Sequence, residues 1–150
     1  MDEDFGNPSS LHNLGLTAQK KVKEVREIAA SEIGAKPEEV FFTGSGTESD
    51  NTAIKGIALS KKRQGRKIIT SMVEHAAVLE TCMFLEKQGY DVCYLDVDRY
   101  GRIDIDELKN EVNDDTILVS LMHVNNEVGA VNDLVAIGAL KKNAFFHSDC

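Results

Sequence analysis

The sequence has few of the residues that mark disulfide-linked, metal-binding or membrane-spanning proteins. Its three cysteines, Cys82, Cys93 and Cys150, are scattered, so they predict neither a disulfide framework nor a metal site. No apolar run reaches the roughly 18 residues that a membrane-spanning helix needs. The N-terminal segment MDEDFGNPSS is acidic and lacks the apolar stretch of a secretory signal. These absences predict a cytoplasmic protein without a membrane span.

Proline is also scarce, and one sign of charge dominates. The 150 residues include 2 prolines, Pro8 and Pro37, and no repeat, low-complexity tract or linker divides the chain. We therefore expect one domain that can bury a sizeable core. The 25 acidic side chains outnumber the 17 lysines and arginines, and the formal net charge is −8. Because such a chain repels polyanions, nucleic acid is not expected as its main partner.

Helical and strand patterns alternate along the chain. Apolar residues spaced by three and four predict a first helix over residues 16–33, ended by Gly34. Further helices are predicted to start near Thr47 and to cover residues 76–90, 104–110 and 133–143. Strands are predicted over residues 40–44, from residue 67 onward, and over residues 91–98, 116–124 and 144–149. This alternation predicts an α/β fold with a largely parallel sheet and helices on both faces.

The segment GSGTESDN is the first candidate for ligand binding. Open α/β sheets bind ligands beyond the carboxyl ends of their strands, and this segment joins a predicted strand to a helix. Gly44 and Gly46 permit close backbone approach, and the N–H groups at the helix start, with the Thr47 hydroxyl, would suit a phosphate. A plain turn with Ser45 or Thr47 as helix cap also fits. The segment is neither a Walker A loop nor a GxGxxG motif.

Polar residues after three other predicted strands are further candidates. His75 opens a helix, where it could stack on a planar ligand, transfer protons, or cap or pack against the helix. Asn125 and Asn126 could bind a ligand or shape a turn with Gly129. Asp149 could pair with a positive charge such as a protonated ring nitrogen, or lie in a surface turn. The sequence therefore predicts candidate ligand groups at several strand ends.

Five segments, taken in order, resemble the cysteine desulfurases, which belong to the class V pyridoxal-phosphate enzymes with the type I aminotransferase fold. The segments are GNPSSLH, FFTGSGTESDNTAIKG, VEHAAVLET, LMHVNNEVGAV and FFHSD. They extend from near Phe5 to Asp149 and so cover nearly the whole chain. The resemblance implies that residues 1–150 are part of the cofactor-binding large domain of a homodimeric enzyme.

The same resemblance implies roles for individual residues in binding pyridoxal 5′-phosphate. Gly46 and Thr47 match the residues that hold the phosphate. His75 matches a catalytic histidine that stacks on the pyridine ring and takes part in proton transfer. Asn126 matches the asparagine on the ring hydroxyl side, and Asp149 matches the aspartate paired with the pyridinium nitrogen.

Family members convert L-cysteine to L-alanine by means of a lysine that binds the cofactor and a cysteine that accepts the sulfur as a persulfide. The sulfur passes to an acceptor or scaffold protein for iron–sulfur cluster or thiolated-cofactor assembly. No lysine here lies in the matching context, and Cys82, Cys93 and Cys150 do not match the nucleophile. Cys82 and Cys93 are expected in the core.

The resemblance thus implies that the family's N-terminal strand, lysine-bearing segment and small domain lie outside residues 1–150. We expect the chain by itself to be inactive. Two alternatives stay open at this point. One is another class V activity, such as that of a selenocysteine lyase or an aminotransferase. The other is a non-catalytic binding or dimerisation module.

Overall fold

The computed structural model describes residues 5–150, so the first four residues of the acidic N-terminal segment lie outside the described part. The chain forms two compact units: the first ends at Thr43, and the second is Gly44–Cys150. All five candidate site residues belong to the second unit. The two units are therefore described separately.

The first unit is built on helix α1, Asn13–Glu32. His12 caps this helix, because its Nδ1 accepts the backbone N–H of Gly15 at 3.3 Å. Gly34 follows the helix with a φ of +66°, a conformation that glycine adopts at little cost. The helix predicted over residues 16–33 is thus confirmed, with a start three residues earlier. A single 3₁₀ turn, Pro37–Glu39, follows it.

The strand predicted over residues 40–44 is wrong. Within the described chain this segment pairs with no strand. Arg26 instead donates to the carbonyl of Val40 at 2.5 Å, and its guanidinium carbon lies 5.1 Å from the centre of the Phe42 ring. The β-branched and aromatic composition favours extended backbone, but a strand also requires a neighbour that completes its hydrogen bonds.

The second unit contains a four-stranded, entirely parallel sheet with strand order β2-β1-β3-β4. The strands are β1, Lys67–Ser71; β2, Asp91–Leu95; β3, Thr116–Ser120; and β4, Phe145–His147. Each corresponds to a predicted strand, and β2, β3 and β4 end three, four and two residues earlier than predicted. The polar residues after the strands therefore lie in loops rather than in the sheet.

Four helices accompany this sheet, and each begins with a side chain that accepts a backbone N–H. They are α2, Gly46–Lys61; α3, Ala76–Lys87; α4, Ile105–Glu111; and α5, Leu134–Leu140. Their caps are Ser45, His75, Asp104 and Asp133. The predicted helices are confirmed, and the cap of α2 is Ser45 rather than Thr47. No helix within residues 5–150 combines the length and apolarity needed to cross a membrane.

Successive residues of the central strands pack on opposite faces of the sheet. On one face, Ile68 and Leu118 belong to a core that also contains residues of α2 and α3: Ile54, Ala58, Val78, Cys82 and Leu85. On the other face, Ile69 and Val119 pack with residues of α4 and α5, namely Leu108 and Ile137. Helices therefore cover both faces, which confirms the predicted fold class.

Candidate functional site

The carboxyl ends of β1, β3 and β4 meet at one edge of the sheet because all strands run parallel. His75, Asn126 and Asp149 lie in the segments that leave these three strands. The start of α2 reaches the same edge, since Thr47 and His75 line one cavity of about 360 Å³. His75 and Asn126 line an adjoining cavity of about 820 Å³.

The start of α2 presents unpaired hydrogen-bond donors. The Ser45 hydroxyl accepts the N–H of Glu48 at 3.2 Å, and the Glu48 carboxylate accepts the N–H of Gly44 at 2.7 Å. The N–H groups of Gly46 and Thr47 and the Thr47 hydroxyl have no hydrogen-bond partner in the described part of the chain. A Cβ placed on Gly46 would meet no atom within 4 Å. Gly46 therefore borders open space, and the donors lie at the end of the helix that attracts anions.

His75 has both a structural role and an exposed ring. Its Nδ1 accepts the N–H of Ala77 at 3.1 Å, which caps α3. In a neutral imidazole this bond places the ring proton on Nε2. The ring borders both cavities, so it lies between the start of α2 and the loop after β3.

The two asparagines after β3 have different surroundings. Asn125 is buried: its Oδ1 accepts the N–H groups of Glu127 and Val128, and its Nδ2 donates to the carbonyl of Val73 at 3.0 Å. It thus shapes the turn and joins the loops after β1 and β3. Asn126 is exposed toward the larger cavity, and its side chain has no hydrogen-bond partner among the residues that the structure describes. Of the two, Asn126 is available to a ligand.

Asp149 lies beside two buried carboxyl groups. Its backbone carbonyl accepts the N–H of His123 at 3.2 Å, which continues the pairing of β3 and β4 beyond the sheet. Its negative charge contributes to raising the pKa of Asp50 and of Glu74, although burial is the larger cause for both. A group of three carboxyls at one sheet edge favours a positively charged ligand atom.

Glu74 was not singled out by the sequence analysis, although it directly precedes His75. Its Oε1 accepts the Ser71 hydroxyl at 2.8 Å and the N–H of Met122 at 3.0 Å, whereas its Oε2 is buried without a partner in the described chain. Burial raises its pKa to about 7. Its only signal in the sequence was a charged residue three positions after the end of a buried strand.

Asp50 and His147 were also missed. The Oδ1 of Asp50 lies 3.4 Å from the Nε2 of His147, and both side chains are largely buried. Asp50 precedes Ile54 and Ala58 at intervals of four residues, so it lies on the inward face of α2. A carboxylate in that apolar stripe was the signal that could have been read.

Known proteins resemble this chain throughout its length. Cysteine desulfurase IscS of Methanosarcina thermophila is 49% identical over 151 residues, which cover 99% of this chain and 37% of that protein. Putative cysteine desulfurase IscS 1 of Bacillus subtilis is 52% identical over 147 residues, with 97% and 39% covered. This chain therefore spans less than half the length of these relatives.

Solved structures show the same fold. A NifS-like protein superposes with a TM-score of 0.92 at 38% identity, covering 99% of this chain and 42% of that one. SspA in complex with cysteine superposes with a TM-score of 0.93 at 38% identity, covering 100% of this chain and 44% of that one. A family model for class-V aminotransferases matches residues 2–150. The chain belongs to the class-V aminotransferase family.

Proposed function

We propose that this chain is the cofactor-binding part of a cysteine desulfurase. The whole protein would convert L-cysteine to L-alanine and pass the sulfur on as a persulfide. The observation that carries this proposal is the meeting of four features at one sheet edge: the unpaired donors of α2, the His75 ring, the Asn126 amide and the Asp149 carboxylate. The similarity to cysteine desulfurases supports it.

Pyridoxal 5′-phosphate fits the chemistry of these groups. The N–H groups of Gly46 and Thr47, with the Thr47 hydroxyl, would hold the phosphate dianion, because they are unpaired and lie at a helix N-terminus. The exposed His75 ring would pack against the pyridine face. When bound, the cofactor withdraws electrons from the substrate carbon.

His75 would also move a proton at one defined atom. Its Nδ1 is engaged by the N–H of Ala77, so only Nε2 is free to exchange a proton with a ligand. The capping bond thus determines both the ring orientation and the reactive nitrogen. We therefore assign proton transfer to the Nε2 of His75.

Asp149 would keep the ring nitrogen protonated, since a carboxylate beside a pyridine nitrogen stabilises its charged form. The amide of Asn126 would donate to the ring hydroxyl side from the loop after β3. Together with the phosphate contacts at Gly46 and Thr47, these bonds would hold the ring in one orientation.

The biological setting follows from the resemblance alone. We propose a cytoplasmic homodimer that transfers sulfur to an acceptor or scaffold protein for iron–sulfur cluster or thiolated-cofactor assembly. We also propose that residues 1–150 alone are inactive, because the cofactor-binding lysine and the sulfur-accepting cysteine have no counterpart among them.

The proposal is tested by incubating the full-length protein with L-cysteine and a thiol reductant, and measuring alanine and sulfide. We expect both products in equal amounts, and neither from residues 1–150 alone. L-selenocysteine turnover without L-cysteine turnover would assign the protein to the selenocysteine lyases instead. Amino transfer to a 2-oxo acid without sulfide would make it an aminotransferase, and binding without turnover would favour a non-catalytic module.

A further inference from the structure

A buried hydrogen-bonded chain joins three elements beneath the candidate site. The Ser120 hydroxyl, at the end of β3, lies 2.8 Å from the Nδ1 of His147 at the end of β4. The Nε2 of His147 lies 3.4 Å from the Oδ1 of Asp50 on α2. Ser120 is fully buried and Asp50 is 5% exposed. One imidazole therefore connects two strand ends to a helix.

The positions of these residues relate the two ends of the proposed ligand. Asp50 follows Thr47 by three residues and so lies within a turn of the unpaired donors at the start of α2. His147 is the last residue of β4 and precedes Asp149 by two residues. The contact between Asp50 and His147 thus ties the phosphate end of the site to the ring-nitrogen end.

The charges of Asp50 and His147 act on each other's pKa. Burial raises the pKa of Asp50 and lowers the pKa of His147, so burial favours the neutral form of each. The groups that face the pair are Asp149, whose charge acts on both, and His75, whose charge acts on Asp50. Whichever member holds the proton, a hydrogen bond between them remains possible.

A purely structural explanation accounts poorly for this arrangement. Burying three polar side chains costs free energy that apolar residues of similar size would avoid. The neighbouring positions Leu118 and Val119 on β3 are apolar and fully buried. The polar chain occurs only where β3 and β4 approach the start of α2, next to the candidate site.

We propose that His147 is a positioning residue, which holds the phosphate-binding turn of α2 in register with Asp149 through its bonds to Asp50 and Ser120. This inference rests on the proposed binding of pyridoxal phosphate. It assigns to His147 no contact with the ligand. Its effect is that the two ends of the ligand are bound cooperatively.

The test measures the binding of pyridoxine 5′-phosphate to the full-length protein after its cofactor has been removed. This ligand lacks the aldehyde, so it cannot bind a lysine covalently. His147→Asn keeps a polar atom near Ser120 but cannot reach Asp50, whereas His147→Gln places its amide toward Asp50. By calorimetry we expect about tenfold weaker binding for His147→Asn and at most about threefold for His147→Gln. Ser120→Ala removes the hydroxyl that contacts His147. Ser60→Ala, at an exposed serine of α2, is the control for this variant and should leave affinity unchanged.

The decisive readout is a double-mutant cycle between Thr47→Ala and Asp149→Asn. With His147 present, the loss of affinity in the double variant should be about fivefold smaller than the product of the two single-variant losses. The reason is that each anchor depends on the other. In the His147→Asn background, the loss of affinity in the double variant should equal the product of the two single-variant losses to within about twofold. A purely structural role for His147 would lower affinity without changing this coupling.

The outcomes separate this inference from the proposed function. If the wild-type protein fails to bind pyridoxine 5′-phosphate, the proposed function is wrong. If it binds but His147→Asn matches the wild type within twofold, or the coupling persists in that variant, only the positioning role is wrong. Should circular dichroism show that His147→Asn is unfolded, Ser120→Ala provides the same comparison, and unchanged coupling there also overturns the inference.

Discussion

The buried carboxyl of Glu74 accepts the backbone N–H of Met122 at 3.0 Å, so a side chain joins the segment after β1 to the segment after β3. The other oxygen of Glu74 has no partner in the described residues, and burial raises the pKa of this carboxyl to about 7. Protonation of Glu74 is therefore linked to the stability of the fold at the candidate site.

This linkage predicts a pH-dependent stability. Between the ordinary glutamate pKa of 4.5 and about 7, the folded chain holds a proton that the unfolded chain has lost. The free energy of unfolding should therefore fall by about 3 kcal/mol as pH rises through this window. Glu74→Gln is neutral throughout and keeps the acceptor for Met122, so this fall should disappear.

Urea unfolding at several pH values between 4.5 and 8 measures this effect. Glu74→Gln should be more stable than the wild type at pH 8 and similar near pH 5. Glu80→Gln, at an exposed position on α3, serves as the control and should follow the wild type. Identical pH profiles for Glu74→Gln and the wild type would contradict the prediction.

A second prediction separates the two roles of His75. His75→Asn can still cap α3 with its side-chain oxygen, whereas His75→Ala loses the cap and about 1 kcal/mol of stability. Neither variant retains an aromatic ring, so both should bind pyridoxine 5′-phosphate about fivefold more weakly. Thermal unfolding and calorimetry give the two readouts. If His75→Asn bound the ligand as tightly as the wild type, the ring would not contact it.

Much of the fold could be predicted because the apolar pattern of a parallel sheet covered on both faces is strong. Strand β3 is the clearest case, since its residues are all buried. The prediction of a strand over residues 40–44 was wrong. Phe41 and Phe42 favour extended backbone, but composition carries no information about a pairing partner. Long-range contacts decide such cases.

The candidate site was only partly predictable for a similar reason. Residues that we propose to face a ligand, such as Thr47 and His75, follow strands or open helices and could be found by position. Asp50 and His147 act on each other across 97 positions of sequence, and only the folded chain brings them together. Position alone did not distinguish Asn125 from Asn126. The family resemblance selected Asn126, and the hydrogen bonds of Asn125 give the physical difference between the two.

A third prediction concerns Asp149 in the full-length protein. Asp149→Asn removes the charge that would stabilise a protonated ring nitrogen, and we expect kcat/KM for alanine formation to fall by roughly 100-fold or more. Asp114→Asn, at an exposed aspartate between α4 and β3, is the matched control. Full turnover by Asp149→Asn would show that this carboxylate does not serve the ring nitrogen.

A fourth prediction concerns the thiols. Burial raises the pKa of Cys82 to about 12 and that of Cys93 to about 11, so both stay protonated and unreactive at neutral pH. Cys150 is exposed. Treatment of the folded chain with iodoacetamide at pH 7.5, followed by peptide mass spectrometry, should show modification of Cys150 well before the other two. Equal labelling in the folded state, with all three reactive after denaturation, would argue against this assignment.

The most direct measurement is a crystal structure of the full-length protein with pyridoxal 5′-phosphate. The account predicts phosphate density at the N–H groups of Gly46 and Thr47, a ring against His75, and a ring nitrogen within hydrogen-bond distance of Asp149. Density for the cofactor at another place, with these residues in contact only with solvent, would contradict it.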